Sequence, residues 1–318
     1  MKKILVYIFA ILCVIVLLPS IFTKKRQDII SNQNNDADLK EKQEEPEKYD
    51  YSKYATIKLY HAKNSEIEEL SIDEYLYGVV SSEMPASYEE EALKAQAIVA
   101  RTYTLYQIIN SKSKHGDADI CDDYKCCQAW ISKEERLSKW EENEKFSNWD
   151  KIVNAVDLTQ GKIITYEGKP IDAFFHSNSG GKTEVVSNVW GGADLPYLKS
   201  VETSGEDVYN QYASEVILNK DELSNKVKEK YNDFIINLQE DEAIKITAYT
   251  ESGRVRTLKI GNINISGTEA RTLFGLKSTN FTVSIEGENI KFSVIGYGHG
   301  VGMSQTGANT MAQSRMYF

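Results

Sequence analysis

Three stretches of the chain gather residue types that can do chemistry. The first is Ser81-Ser82-Glu83-Met84-Pro85-Ala86, followed by Lys94 and Arg101. A carboxyl beside apolar neighbours such as Met84 and Pro85 has its pKa raised and can act as a general acid near neutral pH. Lys94 and Arg101 are seven residues apart, which puts them on nearly one face of a helix. There they could meet an anion. A loop glutamate with two solvated basic residues would give the same pattern. The second stretch runs from Gly296 to Ala308, where Gly296, Gly298, Gly300 and Gly302 surround His299. So much glycine costs chain entropy and points to close backbone approach. Gly302-Met303-Ser304-Gln305-Thr306 lacks the second glycine of a G-x-S-x-G elbow, so a serine hydrolase is excluded. The third is His115, Cys121, Cys126 and Cys127. One histidine and three thiolates can close a tetrahedral, structural zinc site. Adjacent cysteines rarely bond to each other without strain, and three cannot all pair within the chain. One disulfide plus a free thiol is the alternative. His61 reads as a surface histidine and Cys13 as part of an apolar helix.

These residues need elements to position them. Thr56–Tyr60 alternates apolar and polar and reads as a strand. Ser71 and Glu74 form a capping box for a helix expected to run to about Val80. Ser87 looks like the N-cap of a longer helix from Tyr88 to about Ile109, whose first turn carries Glu89, Glu90 and Glu91. Pro85 forbids one continuous helix, so Glu83 falls at the bend. Residues 111–150 read as irregular. Strands are expected near Gly161–Tyr166 and Ile171–Phe175 around a Glu167-Gly168 turn, with a helix over 219–234 and short strands within 243–295. Without βαβ repetition the class is α+β, a core domain with a second or inserted lobe at 205–290.

The N-terminus is different in kind. After Lys2-Lys3, Ile4–Phe22 is apolar apart from Pro19 and Ser20. As a helix it would reach roughly 28 Å, about the thickness of a bilayer core. Lys24-Lys25-Arg26 follows without a small-residue cleavage site, which favours an uncleaved anchor over 1–26 rather than a signal peptide. Residues 27–53 are polar and read as a flexible spacer before the folded body at 54–318. Lys and Arg total 37 against 47 Asp and Glu, a net charge of −10. That balance argues against sequence-independent nucleic-acid binding.

SSEMPASYEEEALKAQAIVARTY and GYGHGVGMSQTGANTMA resemble the paired signatures of the stage II sporulation protein D family. FFHSNSGGKTE, VWGGADLPYLKSV and SGTEARTLFGLKSTNF are similar to further blocks of it, and the resemblance covers roughly Thr56 to Ala312. It implies a lytic transglycosylase that cuts peptidoglycan glycan strands during engulfment in sporulation. The enzyme would be anchored in the cell membrane with its catalytic domain in the septal space. The expected partners are an amidase, stage II sporulation protein P, and the membrane protein stage II sporulation protein M. Glu83 matches the catalytic acid. Lys94 and Arg101 match basic residues of the cleft, suited to the lactyl carboxylate of peptide-stripped muramic acid. His176, Ser177, Ser179, Tyr197, His299, Ser304 and Gln305 fall on blocks that line it. Zinc-binding members of the family bear on His115, Cys121, Cys126 and Cys127. Thr306 stands where tyrosine is commoner, and Phe318 comes before the last helix expected. A lytic transglycosylase needs one acid, because the sugar's own 6-hydroxyl attacks to leave a 1,6-anhydro end; ordinary glycosidases need two carboxylates. A peptidoglycan-binding scaffold or amidase enhancer is the alternative.

Overall fold

The computed structural model describes residues 49–110 and 114–314. The apolar run at 4–22 and residues 27–48 of the spacer lie outside them. Among the described residues no helix is long and apolar enough to cross a membrane. Helices and several small sheets are mixed, in keeping with an α+β class.

Strand β1 (Thr56–His61) pairs antiparallel with β2 (Glu66–Ser71), from Thr56 opposite Ser71 to His61 opposite Glu66. Its other edge takes the short parallel strand β3 (Ile120–Cys121). Alternation sends Ile57 and Leu59 inward, both fully buried. Ser71 ends β2 and caps helix α1 (Ile72–Glu83) through the expected box: Glu74 N–H donates to Ser71 Oγ at 3.2 Å, and Ser71 N–H to Glu74 Oε2 at 3.0 Å. The helix runs one turn past Val80. It stops because Met84, ahead of Pro85, must be extended, at φ −121° and ψ 142°. Glu83 is therefore the last helical residue.

Helix α2 (Glu90–Asn110) is the axis of the first core. Nearly every residue from Ala92 to Leu105 is buried, with Ala92, Ala97 and Ala100 small enough for neighbours to close in on several sides. Its start is not held by Ser87: Glu89 N–H donates to Asn309 Oδ1 at 2.7 Å, from α8 (Gln305–Gln313). Residues 111–150 are less irregular than expected. They contain α3 (Lys133–Lys139), capped by Ser132, and the start of α4 (Lys145–Asp157), whose Trp149, Ile152, Ala155 and Val156 form one buried stripe. The expected strands at 161–175 shrink to a two-residue hairpin, β4 (Thr165–Tyr166) with β5 (Lys169–Pro170), and to β6 (Phe175–His176). The short helix α5 (Val186–Trp190) follows.

A second hydrophobic cluster spans Leu218 to Val294. Here β7 (Ala213–Asn219) leads into α6 (Lys220–Lys228), which ends six residues before the expected Phe234. Strands β8 (Ile244–Tyr249), β9 (Val255–Ile260) and β10 (Ile263–Ser266) form one antiparallel sheet. Helix α7 (Gly267–Phe274) follows, and β11 (Asn280–Glu286) and β12 (Asn289–Ile295) complete a sheet with β7. Phe274 stacks on Phe292 at 5.0 Å between centroids. From β12 the chain returns through Gly296–Gly302 to β13 (Met303–Ser304), which pairs in parallel with β6, and to α8.

Arg101 belongs to this framework. It is fully buried. Its Nη1 donates to the carbonyls of Thr159 at 2.8 Å and Lys162 at 3.3 Å, and its Nη2 to that of Val156 at 3.1 Å. The guanidinium thus satisfies the carbonyls at the end of α4, with Asp73 3.9 Å away. A carboxylate-binding role in a cleft is corrected to an internal clamp: a side chain this enclosed has no face to offer a ligand. Arg101→Ala should lower stability by roughly 3 kcal/mol in chemical denaturation. Arg101→Lys should recover little, since one ammonium cannot span the carbonyls. A stable Arg101→Ala protein with weakened ligand binding would restore the cleft role.

Candidate active site

The end of α1 opens onto a groove of about 280 Å³. Glu83 lies in it with Ser81, Ser82 and the turn Met84–Ala86; Arg136 and Trp140 come from α3 and its C-terminal flank, and Ser177, Gln211 and Gln305 from elsewhere. Burial pushes the Glu83 carboxyl above its ordinary value of 4.5, while the Ala129 N–H and the Gln305 amide pull the other way. No cation is among the groups that shift it. The Ala129 N–H donates to Glu83 Oε1 at 2.8 Å, and Gln305 Nε2 also reaches Gln96 Oε1 at 3.3 Å. Lys151 Nζ donates to the Ala86 carbonyl at 2.9 Å and also to that of Tyr88, and so fixes the lip after Glu83. A half-buried carboxyl whose hold on its proton is strengthened by burial, and which faces an open groove, has the placement of a general acid.

Of the residues expected to line the cleft, Ser177 and Gln305 are brought to Glu83. Others turn elsewhere. Lys94 pairs with Glu90 at 2.7 Å and Glu91 at 2.9 Å in its own first turn. Tyr197 packs against Tyr166 at 5.5 Å in another groove, which shares no lining residue with this one. His176 and His299 form a ring cluster with Phe174 and Trp190, 5.6 Å apart from each other, and neither lines the Glu83 groove. Burial takes His176 down to about 4 and His299 well below the ordinary value, so both are neutral at physiological pH. His176 Nδ1 donates to the Val301 carbonyl at 3.1 Å, and His299 Nδ1 accepts the Val301 N–H at 3.1 Å. These two rings hold the glycine-rich strand.

Ser179 and Ser304 point to a carboxylate that composition and spacing did not reveal, Glu206. It is almost fully buried and takes six donors: the hydroxyls of Ser179, Thr203, Ser304 and Thr306, and the N–H groups of Ser179 and Gly181. Those donors hold it down at about 2 despite burial. Glu206 thereby ties the Ser177–Gly181 loop to Ser304–Thr306, which carry Ser177 and Gln305 into the groove. Thr306, the unusual residue of the glycine-rich motif, is one of those donors at 3.0 Å. Beneath the same loops Arg254 Nη2 donates to the Ser179 carbonyl at 2.7 Å. A Cβ on Gly300 would fall 2.6 Å from that guanidinium, and one on Gly302 2.1 Å from the Phe174 carbonyl. Both glycines also have positive φ, so no other residue fits there.

The thiols of Cys121, Cys126 and Cys127 are free, and with His115 their ligand atoms all lie within 4.8 Å of one another. His115 Nε2 is 3.6 Å from Cys126 Sγ and 3.5 Å from Cys127 Sγ. Ligands at ordinary zinc distances in a tetrahedron stand roughly 3.5–3.8 Å apart, so the set could hold a metal ion. Cys127 is two residues from Ala129, whose N–H holds Glu83.

A family model described as stage II sporulation protein (SpoIID) matches residues 60–166. A stage II sporulation protein D of Bacillus amyloliquefaciens is 37% identical over 81% of this chain and 73% of its own length. The chain belongs to the stage II sporulation protein D family. The protein of that name from Bacillus subtilis (strain 168) is 36% identical over 81% of this chain and 73% of its own. An amidase enhancer of the same organism is 28% identical over 75% of this chain and 37% of its own. Within this member of the family, Glu206 is the anion on which the groove's far wall depends. Folded, its pKa lies near 2 against 4.5 ordinarily, so its contribution is complete above pH 4.5 and is lost as pH falls towards 2. Glu206→Gln should cost about 2–4 kcal/mol at neutral pH and flatten the acid limb of the stability profile. Unchanged acid unfolding would contradict this.

Proposed function

We propose that the protein is a peptidoglycan lytic transglycosylase, with Glu83 as its acid. The observation that carries this reading is a carboxyl at the mouth of a groove, pushed by burial above its ordinary pKa with no cation among the groups that shift it, and held in place by Ala129 and Gln305. Glu83 would protonate the oxygen between N-acetylmuramic acid and N-acetylglucosamine as that bond breaks. The muramic 6-hydroxyl closes onto the anomeric carbon and gives up its proton to the Glu83 carboxylate, which restores the acid and leaves a 1,6-anhydro end. The proton gained by the leaving sugar balances the one lost from the hydroxyl. No second carboxylate is needed to activate water, and none lines the groove. Family membership supports a place in sporulation, acting on the wall beside a partner amidase. Residues 1–26 would anchor the body, facing the space outside the cytoplasm. The amidase enhancer among the relatives favours a second reading, a wall-binding scaffold without cleavage.

Wild-type protein should release anhydro-ended fragments from glycan stripped of peptides, seen by mass spectrometry. Glu83→Gln should abolish them, a loss of at least about 1,000-fold, while binding persists. Since the folded pKa is raised, the acid form is complete at low pH, and activity falls as pH rises through that value. For the same reason Glu83→Gln should gain stability relative to wild type at alkaline pH. Cleavage that survives Glu83→Gln removes the residue from this role, and absence of cleavage by the wild type leaves the scaffold.

For the metal we propose structural zinc, held by His115, Cys121, Cys126 and Cys127. Zinc would supply folding free energy to the loop and hold the thiols as thiolates. The purified chain should carry about one zinc, and Cys121→Ser or Cys127→Ser should lose it and melt earlier. A disulfide in a non-reducing peptide map, with no zinc by elemental analysis, would overturn the assignment.

A further inference from the structure

Arg136 stands in α3, whose start is fixed by Ser132 Oγ accepting the Glu135 N–H at 3.1 Å. Its Nε is buried without a hydrogen-bond partner. The neighbouring acid, Glu135, is engaged with Lys139 at 2.6 Å. Arg101 and Arg254 satisfy backbone carbonyls, whereas no side-chain acceptor among the described residues pairs with the Arg136 guanidinium. What accompanies it is Trp140, with the guanidinium carbon 5.5 Å from the ring centroid. Both line the groove that holds Glu83. A half-buried cation whose neighbouring acid is already paired with Lys139 is costly to desolvate, and an arriving anion offsets that cost. The guanidinium fork suits a carboxylate through two parallel hydrogen bonds, and an indole suits the apolar face of a sugar ring. Arg136 is also not among the groups that shift Glu83, so an anion can be gripped here without ionising the acid.

We propose that Arg136, backed by Trp140, is the specificity-determining residue of the groove, and that it binds the carboxylate of an acidic sugar. On the glycan-cleaving reading above, which this inference rests on, that group is the lactyl carboxylate of a muramic residue whose peptide has been removed. A peptide-bearing muramic residue presents an amide there, which cannot take the fork as an anion. The preference for stripped glycan, first sought in Lys94 and Arg101, thus falls to a residue in a segment that looked irregular. It also gives a chain of net charge −10 a local means of holding an anionic polymer.

The test uses the full chain carrying Glu83→Gln, so that ligands bind without turnover. Three probes are titrated by calorimetry: a peptide-stripped glycan oligosaccharide, the same oligosaccharide with its carboxylates converted to methylamides, and a chitin oligosaccharide without lactyl groups. With Arg136 present, the stripped glycan should bind about 10- to 100-fold more tightly than its methylamide. Arg136→Ala should erase that difference by weakening the stripped glycan alone, and Arg136→Lys should restore part of it. Equal weakening for all three probes would mean that Arg136 only shapes the groove, and no change would mean that it does nothing there; either overturns the proposal while the glycan reading stands. Failure of every probe to bind with Arg136 intact would remove the glycan reading and this inference together.

Discussion

Burial of the Glu83 carboxyl among neutral groups is the constraint on which the site depends: desolvation raises its proton affinity, and no cation is among the groups that shift it. The cations expected to face it are engaged elsewhere, Arg101 by the carbonyls ending α4 and Lys94 by Glu90 and Glu91, while Arg136 lines the groove without being among the groups that shift Glu83. Glu206 shows the opposite treatment of the same functional group. Surrounded by hydroxyls and N–H groups it stays ionised, and it serves as an internal anion. The same functional group is thus given opposite proton affinities by its two surroundings.

That architecture links remote parts of the sequence. The turn holding Cys126 and Cys127 runs on to Ala129, whose N–H orients Glu83, and then to Arg136 and Trp140 at the groove. Order in the cysteine loop is therefore order in this wall of the groove. From the opposite side, β12 of the second cluster hands the chain to the glycine-rich segment, where Arg254 and the two neutral histidines set the path into Gln305. Both routes converge on one carboxyl. Displacements of about an ångström at either would move the Glu83 carboxyl relative to the groove.

Local signals in the sequence carried a good part of this. The Ser71 capping box and the Pro85 break depend on a few neighbouring residues, so the end of α1 and the placing of Glu83 were legible. The four-ligand group was legible too, because cysteines have few uses. Arg101 was misread because helical spacing shows that two residues share a face but not whether that face is inside. In α2 almost every face is inside. Glu206 gave no local signal, since its six donors come from segments up to a hundred residues away. Arg136 was hidden for a related reason: α3 is seven residues long, too short for a periodic pattern to stand out.

The central claim is that the protein raises the proton affinity of Glu83 above that of an ordinary glutamate. Carbon-13 NMR of glutamate-labelled protein, with the Glu83→Gln spectrum used to assign the resonance, measures the titration of that carboxyl directly. The account predicts a midpoint clearly above 4.5, the ordinary value from which burial raises it. A midpoint at or below 4.5 would contradict it, because the groove would then hold a carboxylate with no proton to give.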